Sequence, residues 1–316
     1  MKKAFEKLNL RDYGVLLGFL ALCIAISIAT PSFLGKQNIF NLLRQSSIIG
    51  IISAGMTFVI ISGNFDISVG AVAALAGAIT MKFATGGTNL FASMLLGVAI
   101  CAVIGLINGI VVAKINVPSL IATMAMVTIV RGLLLMLTGG YPITENIPIL
   151  DYIGNGYLFS IPIPVVIFFI VVLASFIVLN KTKFGRYVYS VGGNQEASKL
   201  NGINVDSHKV KVFIINAVLA GIAGIVLTGR LGTATAIAGE GYDMDAIASV
   251  VIGGTSVAGG SGSVLKTVIG VLLMSVINNS FNLLGIDVYF QYIFKGLIIL
   301  AAVGFDSYSK KKLASR

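Results

Sequence analysis

The sequence predicts an all-α membrane protein that crosses a lipid bilayer about ten times, with both termini in the cytoplasm. Three observations lead to this prediction: the apolar composition, a series of long apolar segments, and the distribution of basic residues between them. Hydrophobic residues make up 57% of the chain and charged residues only 11%, and the mean hydropathy is +0.98. A soluble domain carries roughly a quarter charged residues, so this chain has too few charges to face water on all sides.

Ten segments are apolar and long enough to cross the hydrocarbon core, which takes a helix of about 20 residues. The first resembles the apolar part of a signal peptide, but no small-residue cleavage site follows it, so we expect it to remain as a helix. The predicted spans are 14–30, 46–62, 67–83, 90–113, 118–138, 161–180, 210–229, 244–258, 264–284 and 288–304. They predict one transmembrane domain over 1–316, with a cytoplasmic N-terminus at 1–13, a cytoplasmic loop at 181–209 and a basic cytoplasmic tail at 305–316.

The basic residues support this topology independently of the apolar segments. With the N-terminus in the cytoplasm, sixteen of the 22 Lys and Arg residues fall on the cytoplasmic side and four on the outer side. The positive-inside rule predicts such an excess, and an error of one span would reverse every later loop and remove it. Arg131 and Lys295 lie inside spans. The outer cations are Lys36, Arg44, Lys82 and Arg230, and the outer acidic residues are Glu145, Asp151, Glu240, Asp243, Asp245 and Asp287.

Several classes of function are disfavoured by the sequence. The net charge is +10, but no run of basic residues is interleaved with aromatic residues, so a nucleic-acid partner is not expected. Cys23 and Cys101 lie singly in apolar runs without metal or redox spacing, and His208 lies in a basic loop. No Ser/His/Asp, metal-binding or paired-carboxylate constellation is visible at membrane depth, so an enzyme is not expected. The sequence also lacks the GxxxxGK[ST] nucleotide-binding motif, so an ATP-driven mechanism would require a partner that binds ATP.

Two glycine-rich stretches, 62–70 and 253–263, interrupt the apolar segments. Each is either a turn at the membrane surface or a broken helix, which is tolerated at depth only in protein or beside a cavity. The polar residues in the spans likewise have two interpretations. They either form hydrogen bonds between helices or line a path for a neutral, hydroxyl-rich cargo. No acidic residue lies at mid-depth in the clear spans, which disfavours an ion-coupled carrier. The predicted path residues are Asn64, Phe65, Asp66, Ser68, Asn108, Asn278, Asn279 and Asn282.

Long motifs in this chain resemble those of one family of bacterial membrane proteins. Residues 55–70 read GMTFVIISGNFDISVG, and residues 185–194 read GRYVYSVGGN. GINV follows at 202–205, GEGYDMD at 239–245 and GGTS at 253–256. In this order the motifs resemble those of the ribose-type permeases of ATP-binding-cassette (ABC) importers, over nearly the whole chain.

The resemblance implies a permease subunit in the bacterial cell membrane that works as a homodimer, with two cytoplasmic ATPase domains and an external sugar-binding protein. The sugar would cross at the dimer interface by alternating access. ATP and Mg would be bound by the ATPase, and this chain would hold no cofactor. The resemblance also implies that a short helix in the 181–209 loop docks onto the ATPase. The implied coupling residues are Asn194, Gln195, Glu196, Ala197, Ser198, Leu200, Gly202 and Ile203.

Ribose is the cargo that the resemblance favours, because the segment from Asn278 to Gln291 is most similar to ribose permeases. Two alternatives stay open at this point. One is an ABC permease for another cargo, such as xylose, galactofuranose, an autoinducer sugar or a nucleoside. The other is an ion-coupled secondary carrier for a sugar or nucleoside, which would need intramembrane carboxylates and no ATPase-docking loop.

Overall fold

The structure, a computed structural model, describes the backbone of residues 10–314 and the side chains of residues 14–304. In this part of the chain, helices account for nearly all regular structure, which agrees with the predicted all-α membrane architecture. The predicted cytoplasmic ends, 1–13 and 305–316, lie outside the described side chains. The helices are α1 (Leu10–Ala29), α2 (Lys36–Ile61), α3 (Val69–Thr85), α4 (Leu90–Ala113), α5 (Ser119–Thr138), α6 (Pro148–Asn155), α7 (Ile163–Lys181), α8 (Lys183–Gly193), α9 (Gln195–Leu200), α10 (Val205–Leu231), α11 (Tyr242–Ile252), α12 (Val264–Leu283) and α13 (Val288–Ala314).

Six of the described helices are long and apolar enough to cross a membrane, namely α2, α4, α5, α7, α10 and α12. Shorter apolar stretches lie in α1, α3 and α13. The eighth predicted span, 244–258, is helical only in the 11 residues of α11. Such a helix rises about 16 Å, which is roughly half of the hydrocarbon core. The count of ten spans and the cytoplasmic position of both ends remain predictions.

Several helices extend beyond the apolar runs that predict them. The predicted span 90–113 coincides with α4, whereas α2 begins at Lys36, ten residues before the predicted span at 46. The long polar side chains in the added turns form helix nearly as readily as leucine. At the start of α10, the Asn204 side chain accepts a hydrogen bond from the Ser207 amide at 2.9 Å and caps the helix. Hydropathy therefore marks the apolar part of each helix and not its ends.

Helix α10 lies at the centre of the bundle and packs against α2, α3 and α4. Glycines allow these backbones to meet. A Cβ at Gly224 would collide with the Ala73 carbonyl of α3, and one at Gly105 would collide with the Phe213 carbonyl of α10. Small residues at helix interfaces permit the close packing that holds membrane helices together.

Both predicted helix breaks are present, and they lie against each other. Helix α2 ends at Ile61 and α3 begins at Val69, while α11 ends at Ile252 and α12 begins at Val264. The Gly260 amide, in the second break, donates a hydrogen bond of 2.8 Å to the Ile61 carbonyl at the first.

Side-chain hydroxyls of α5 satisfy the backbone of the first break. The Ser119 hydroxyl accepts a hydrogen bond from the Phe65 amide at 3.1 Å, and that of Thr123 accepts one from the Ile67 amide at 3.2 Å. Most of the 62–68 connection is thus enclosed by protein, which is the setting in which non-helical backbone is tolerated at membrane depth.

Two small antiparallel ribbons lie in the predicted outer loops or at their edge. Strand β1 (Ile143–Thr144) pairs with β4 (Thr233–Ala234), and β2 (Tyr157–Leu158) pairs with β3 (Ile161–Pro162) in a hairpin just before α7. After β4 the chain folds inward over 235–241 until Gly239 touches Gly70 at the start of α3. This inward segment brings an outer loop to the cavity described below.

Candidate translocation and coupling sites

A hydrogen-bonded cluster around Asp66 joins three of the predicted path residues. Asp66 is 1% exposed, and its Oδ1 accepts hydrogen bonds from the Ser68 amide at 3.0 Å and the Ser68 hydroxyl at 2.6 Å. Its Oδ2 accepts from the Asn216 amide group at 2.9 Å, while Asn108 donates to the Ser68 hydroxyl at 3.1 Å. The cluster ties the first break to α4 and α10.

Asn64 and Phe65 lie beside this cluster and make local contacts. The Asn64 side chain is 6% exposed and donates to the Ser62 carbonyl and hydroxyl, both at 3.1 Å. Phe65 is half-buried and packs against the hydrophobic core. Neither side chain lines a described cavity, and their role in the path remains a prediction.

A second polar cluster joins α11, α12 and α13. The Lys295 ammonium lies 3.0 Å from Oδ1 and 3.1 Å from Oδ2 of Asp245, whose side chain is 5% exposed. The Asn278 side chain donates to Asp245 Oδ2 at 3.5 Å. The sequence placed Asp245 in an outer loop, but α11 begins three residues earlier and turns its carboxylate into the bundle. With Asp66 and Asp245 both buried, the missing carboxylates are a weaker argument against an ion-coupled carrier than the sequence indicated.

The other two amides of the predicted path also form hydrogen bonds between elements. Asn279 and Asn38 of α2 exchange two bonds, of 2.8 and 3.0 Å. Asn282 is exposed, and its Oδ1 accepts a bond of 3.2 Å from the Gln291 side chain. All three amides on α12 thus have a partner on another helix.

A cavity of about 600 Å³, with charged groups among a mostly apolar lining, lies where α3, α5, α11 and α13 meet the inward segment 235–241. The Arg131 guanidinium donates hydrogen bonds to the carbonyls of Ala236 and Ala238 and so holds that segment against α5. A neighbouring cavity of about 250 Å³ shares Glu240 and Tyr292 with the first. The polar and aromatic residues that line the two are Thr128, Arg131, Glu240, Asp243, Gln291, Tyr292 and Lys295.

Sequence reasoning missed this group of residues as a site. Arg131 was recognisable as a cation inside an apolar span, which marks a functional residue by default. Glu240 and Asp243, however, looked like outer-loop acids, and nothing local shows that their loop folds back into the bundle. Within the described residues, no group of three or more His, Cys, Asp or Glu side chains could hold a metal ion.

The predicted coupling residues form a short, well-capped helix on the surface. The Asn194 side chain caps α9 by accepting a hydrogen bond from the Ala197 amide at 2.9 Å. Ser198 is 1% exposed, and its hydroxyl lies 2.9 Å from that of Ser190 in α8. Lys209 of α10 donates to Gln195 at 3.0 Å. Helix α9 is therefore fixed to both α8 and α10.

Within the described part of the chain, the outer face of α9 is exposed, so it is available to another protein. Glu196 and Ala197 are exposed, and Leu200 is 89% exposed. Gly202 then ends the helix with a φ of +76°, which favours glycine, and Ile203 is half-buried beneath it. An exposed leucine on a rigid, capped helix is suited to contact with another protein.

The chain is similar to known permeases over most of its length. Residues 38–303 match the family described as "Branched-chain amino acid transport system / permease component". The ribose import permease protein RbsC of Haemophilus influenzae is 43% identical over 303 residues, which cover 93% of this chain and 94% of that protein. Its counterpart in Escherichia coli K12 is 40% identical, with 97% of both chains covered. That of Bacillus subtilis is 42% identical, with 94% of this chain and 93% of that protein covered. No solved structure gives a significant match.

Proposed function

The chain belongs to the family of branched-chain amino acid transport system permease components, within it to the ribose-type permeases of ABC importers, and we propose that it is the subunit through which ribose enters the cell. The identity of 40–43% to three ribose import permeases, over more than nine-tenths of the chain, carries this proposal. The chain is a multi-pass protein of the bacterial cell membrane and supplies transport, not catalysis.

The cargo path runs through the cavity lined by Arg131, Glu240, Asp243 and Tyr292. A pentose is neutral and rich in hydroxyls, so it needs hydrogen-bond partners that replace water along the path. Carboxylates accept hydrogen bonds from sugar hydroxyls and a guanidinium donates to them. A tyrosine ring gives an apolar face for the carbon skeleton. The clusters around Asp66 and Asp245 border this path, and the predicted residues Asn64, Phe65, Ser68, Asn108, Asn278, Asn279 and Asn282 keep their assignment to it as a hypothesis.

Energy comes from a cytoplasmic ATPase that docks onto α9. The exposed Glu196, Ala197 and Leu200 face this partner, while Ser198 and Gln195 transmit its movement into α8 and α10. ATP and Mg bind to the ATPase and not to this chain. A second copy of the permease completes the path, and an external sugar-binding protein delivers ribose to the outer side.

The decisive experiment is ATP-dependent uptake of radiolabelled ribose in proteoliposomes that contain the permease, its ATPase and the sugar-binding protein. We expect uptake that excess unlabelled ribose blocks and that galactose and nucleosides do not. Uptake of another ligand of the binding protein, without ribose uptake, would refute the cargo. Uptake driven by an ion gradient without the ATPase would refute the mechanism.

Cysteine accessibility tests the path separately from the cargo. Single cysteines at Glu240 and Asp243 are expected to react with polar thiol reagents in at least one nucleotide state of the complex, with Val130, which is fully buried in α5, as the unreactive control. Cysteines at Asn278 and Asn282 examine the amide-rich face in the same way. Protection of both acidic positions in every state would remove the cavity from the path.

A further inference from the structure

A basic, aromatic pocket lies at the predicted outer end of the bundle, away from the proposed cargo path. Its cavity has a volume of about 670 Å³ and lies between the first turns of α2 and the β2–β3 hairpin. One face of α2 contributes two cations separated by an aromatic ring, and the hairpin contributes a second ring and a hydroxyl. The lining residues are Lys36, Gln37, Phe40, Asn41, Arg44, Tyr157 and Ser160.

Arg44 is the central residue of this pocket, and its charge has no ionic partner within the described chain. It is only 9% exposed. Its guanidinium lies 4.9 Å from the centre of the Tyr157 ring, donates to the Asn155 carbonyl at 3.1 Å, and makes a long contact of 3.4 Å with Asn41 Oδ1. Its Nε–H is buried without an acceptor. A buried guanidinium normally has an anion beside it, because desolvating an unpaired charge is costly.

The neighbouring charges increase the need for an anion. Lys36 projects over Phe40 at 5.9 Å from the ring centre. Arg230 lies near enough to Arg44 to repel it electrostatically. The acidic residue that contacts this region, Asp151, accepts a hydrogen bond from the Asn155 side chain and forms no ion pair with Arg44. Two cations therefore line the pocket and a third interacts with Arg44, on the side where the topology otherwise disfavours basic residues.

The position of the hairpin indicates where the anion comes from. Strand β3 leads directly into the predicted span α7, so the hairpin lies at the membrane–water interface. Phe159 at its tip is 92% exposed, with Leu158 and Ile161 also exposed. Phe159 and Ser160 have φ angles of +48° and +66°, so the turn holds a bulky side chain outward in an unfavourable conformation. An apolar tip beside a cationic, aromatic pocket is the composition that binds at a lipid headgroup layer.

We propose that this pocket binds the phosphate group of an anionic phospholipid in the outer leaflet. The phosphate oxygens accept hydrogen bonds from Arg44 and Lys36, and the amide groups of Gln37 and Asn41 and the Ser160 hydroxyl are further donors. Phe159 and Leu158 lie among the acyl chains. The site concerns lipid binding and does not depend on which cargo the permease carries.

The test measures binding of phosphatidylglycerol with a fluorescent acyl chain to the full-length permease in neutral detergent, by anisotropy. Arg44→Gln and Lys36→Gln are each expected to weaken binding about tenfold, the loss that follows from removing one charge-assisted hydrogen bond. Lys82→Gln is the matched control. Lys82 is another outer, exposed cation, but it donates to the Leu137 carbonyl and does not line the pocket, so its loss is expected to change nothing.

Competition distinguishes the lipid from free phosphate and from unspecific adsorption. Unlabelled phosphatidylglycerol is expected to displace the probe, whereas phosphatidylcholine and inorganic phosphate at the same concentration are not. Equal displacement by inorganic phosphate would make free phosphate the ligand, and equal displacement by phosphatidylcholine would make the binding unspecific; either overturns the proposal. So does wild-type affinity in both pocket variants. Should Arg44→Gln not fold, Lys36→Gln decides, because Lys36 is an exposed first residue of its helix.

Discussion

Removing Lys295 tests whether the Asp245 ion pair holds the half-length helix α11 in the bundle. Asp245 is 5% exposed and Lys295 is 22% exposed at the side chain, so little water screens the pair. In Lys295→Met the carboxylate would remain buried with only the 3.5 Å contact from Asn278. Breaking a buried pair by removing one partner costs about 3–5 kcal/mol. A single interhelical hydrogen bond between membrane helices contributes only about 0.6 kcal/mol. We therefore expect Lys295→Met to destabilise the protein several times more than Asn278→Leu does.

The assay is reversible unfolding in mixed micelles, followed by far-UV circular dichroism. It compares the single variants Lys295→Met, Asn278→Leu and Asp245→Asn with the variant that combines Asp245→Asn and Lys295→Met. The combined variant has no buried charge, so it is expected to recover most of the lost free energy of unfolding. Two results would refute the reasoning. One is a loss below about 1 kcal/mol in Lys295→Met; the other is a combined loss equal to the sum of those of Asp245→Asn and Lys295→Met, which would mean that the two residues do not interact.

Three further predictions concern coupling, packing and cargo. Leu200→Asp is expected to abolish ATP-driven uptake at unchanged melting temperature, because the side chain is 89% exposed; normal uptake would contradict docking through α9. Gly224→Val is expected to cost about 1–3 kcal/mol in free energy of unfolding, because the added carbons collide with the Ala73 carbonyl, whereas Gly132→Ala, at an open helix position, costs nothing; equal melting curves for both would contradict the packing. Asp243→Asn is expected to raise the ribose concentration at half-maximal uptake about tenfold, and unchanged uptake kinetics would remove it from the path.

The sequence predicts most of the helices because each depends on a local run of apolar residues. It predicts α4 to the residue, and it places both glycine-rich breaks. It does not predict the long polar start of α2, since hydropathy detects the apolar part of a helix and not its polar ends. Nor does it predict α11 as a half-length helix, because the glycines after Ile252 were included in an apolar window.

The functional sites, like the helices, could be predicted where they depend on neighbouring residues and not where they depend on distant ones. The coupling segment could be found from its motif, as its residues are contiguous. The ion pair joins residues 50 positions apart, and Arg131 reaches carbonyls more than 100 positions away, at Ala236 and Ala238. No periodicity or spacing in one sequence encodes such contacts. The inward fold of 235–241, which turns outer-loop acids into cavity residues, is therefore visible only in three dimensions.

Two groups of polar side chains could receive a sugar: the amides of α12 and the acidic residues of the cavity beside Arg131. Their existing hydrogen bonds decide which group is better prepared to do so. On α12, Asn278 and Asn279 already bond to other helices, so a sugar hydroxyl would have to replace those bonds at a cost of about 1 kcal/mol each. Glu240 and Asp243 line an open cavity, and Arg131 already holds the segment that carries Glu240 in place. Binding there exchanges water for sugar hydroxyls without breaking the bundle. The amides are better suited to a later step, when α12 moves and its bonds open, than to the first contact with the cargo.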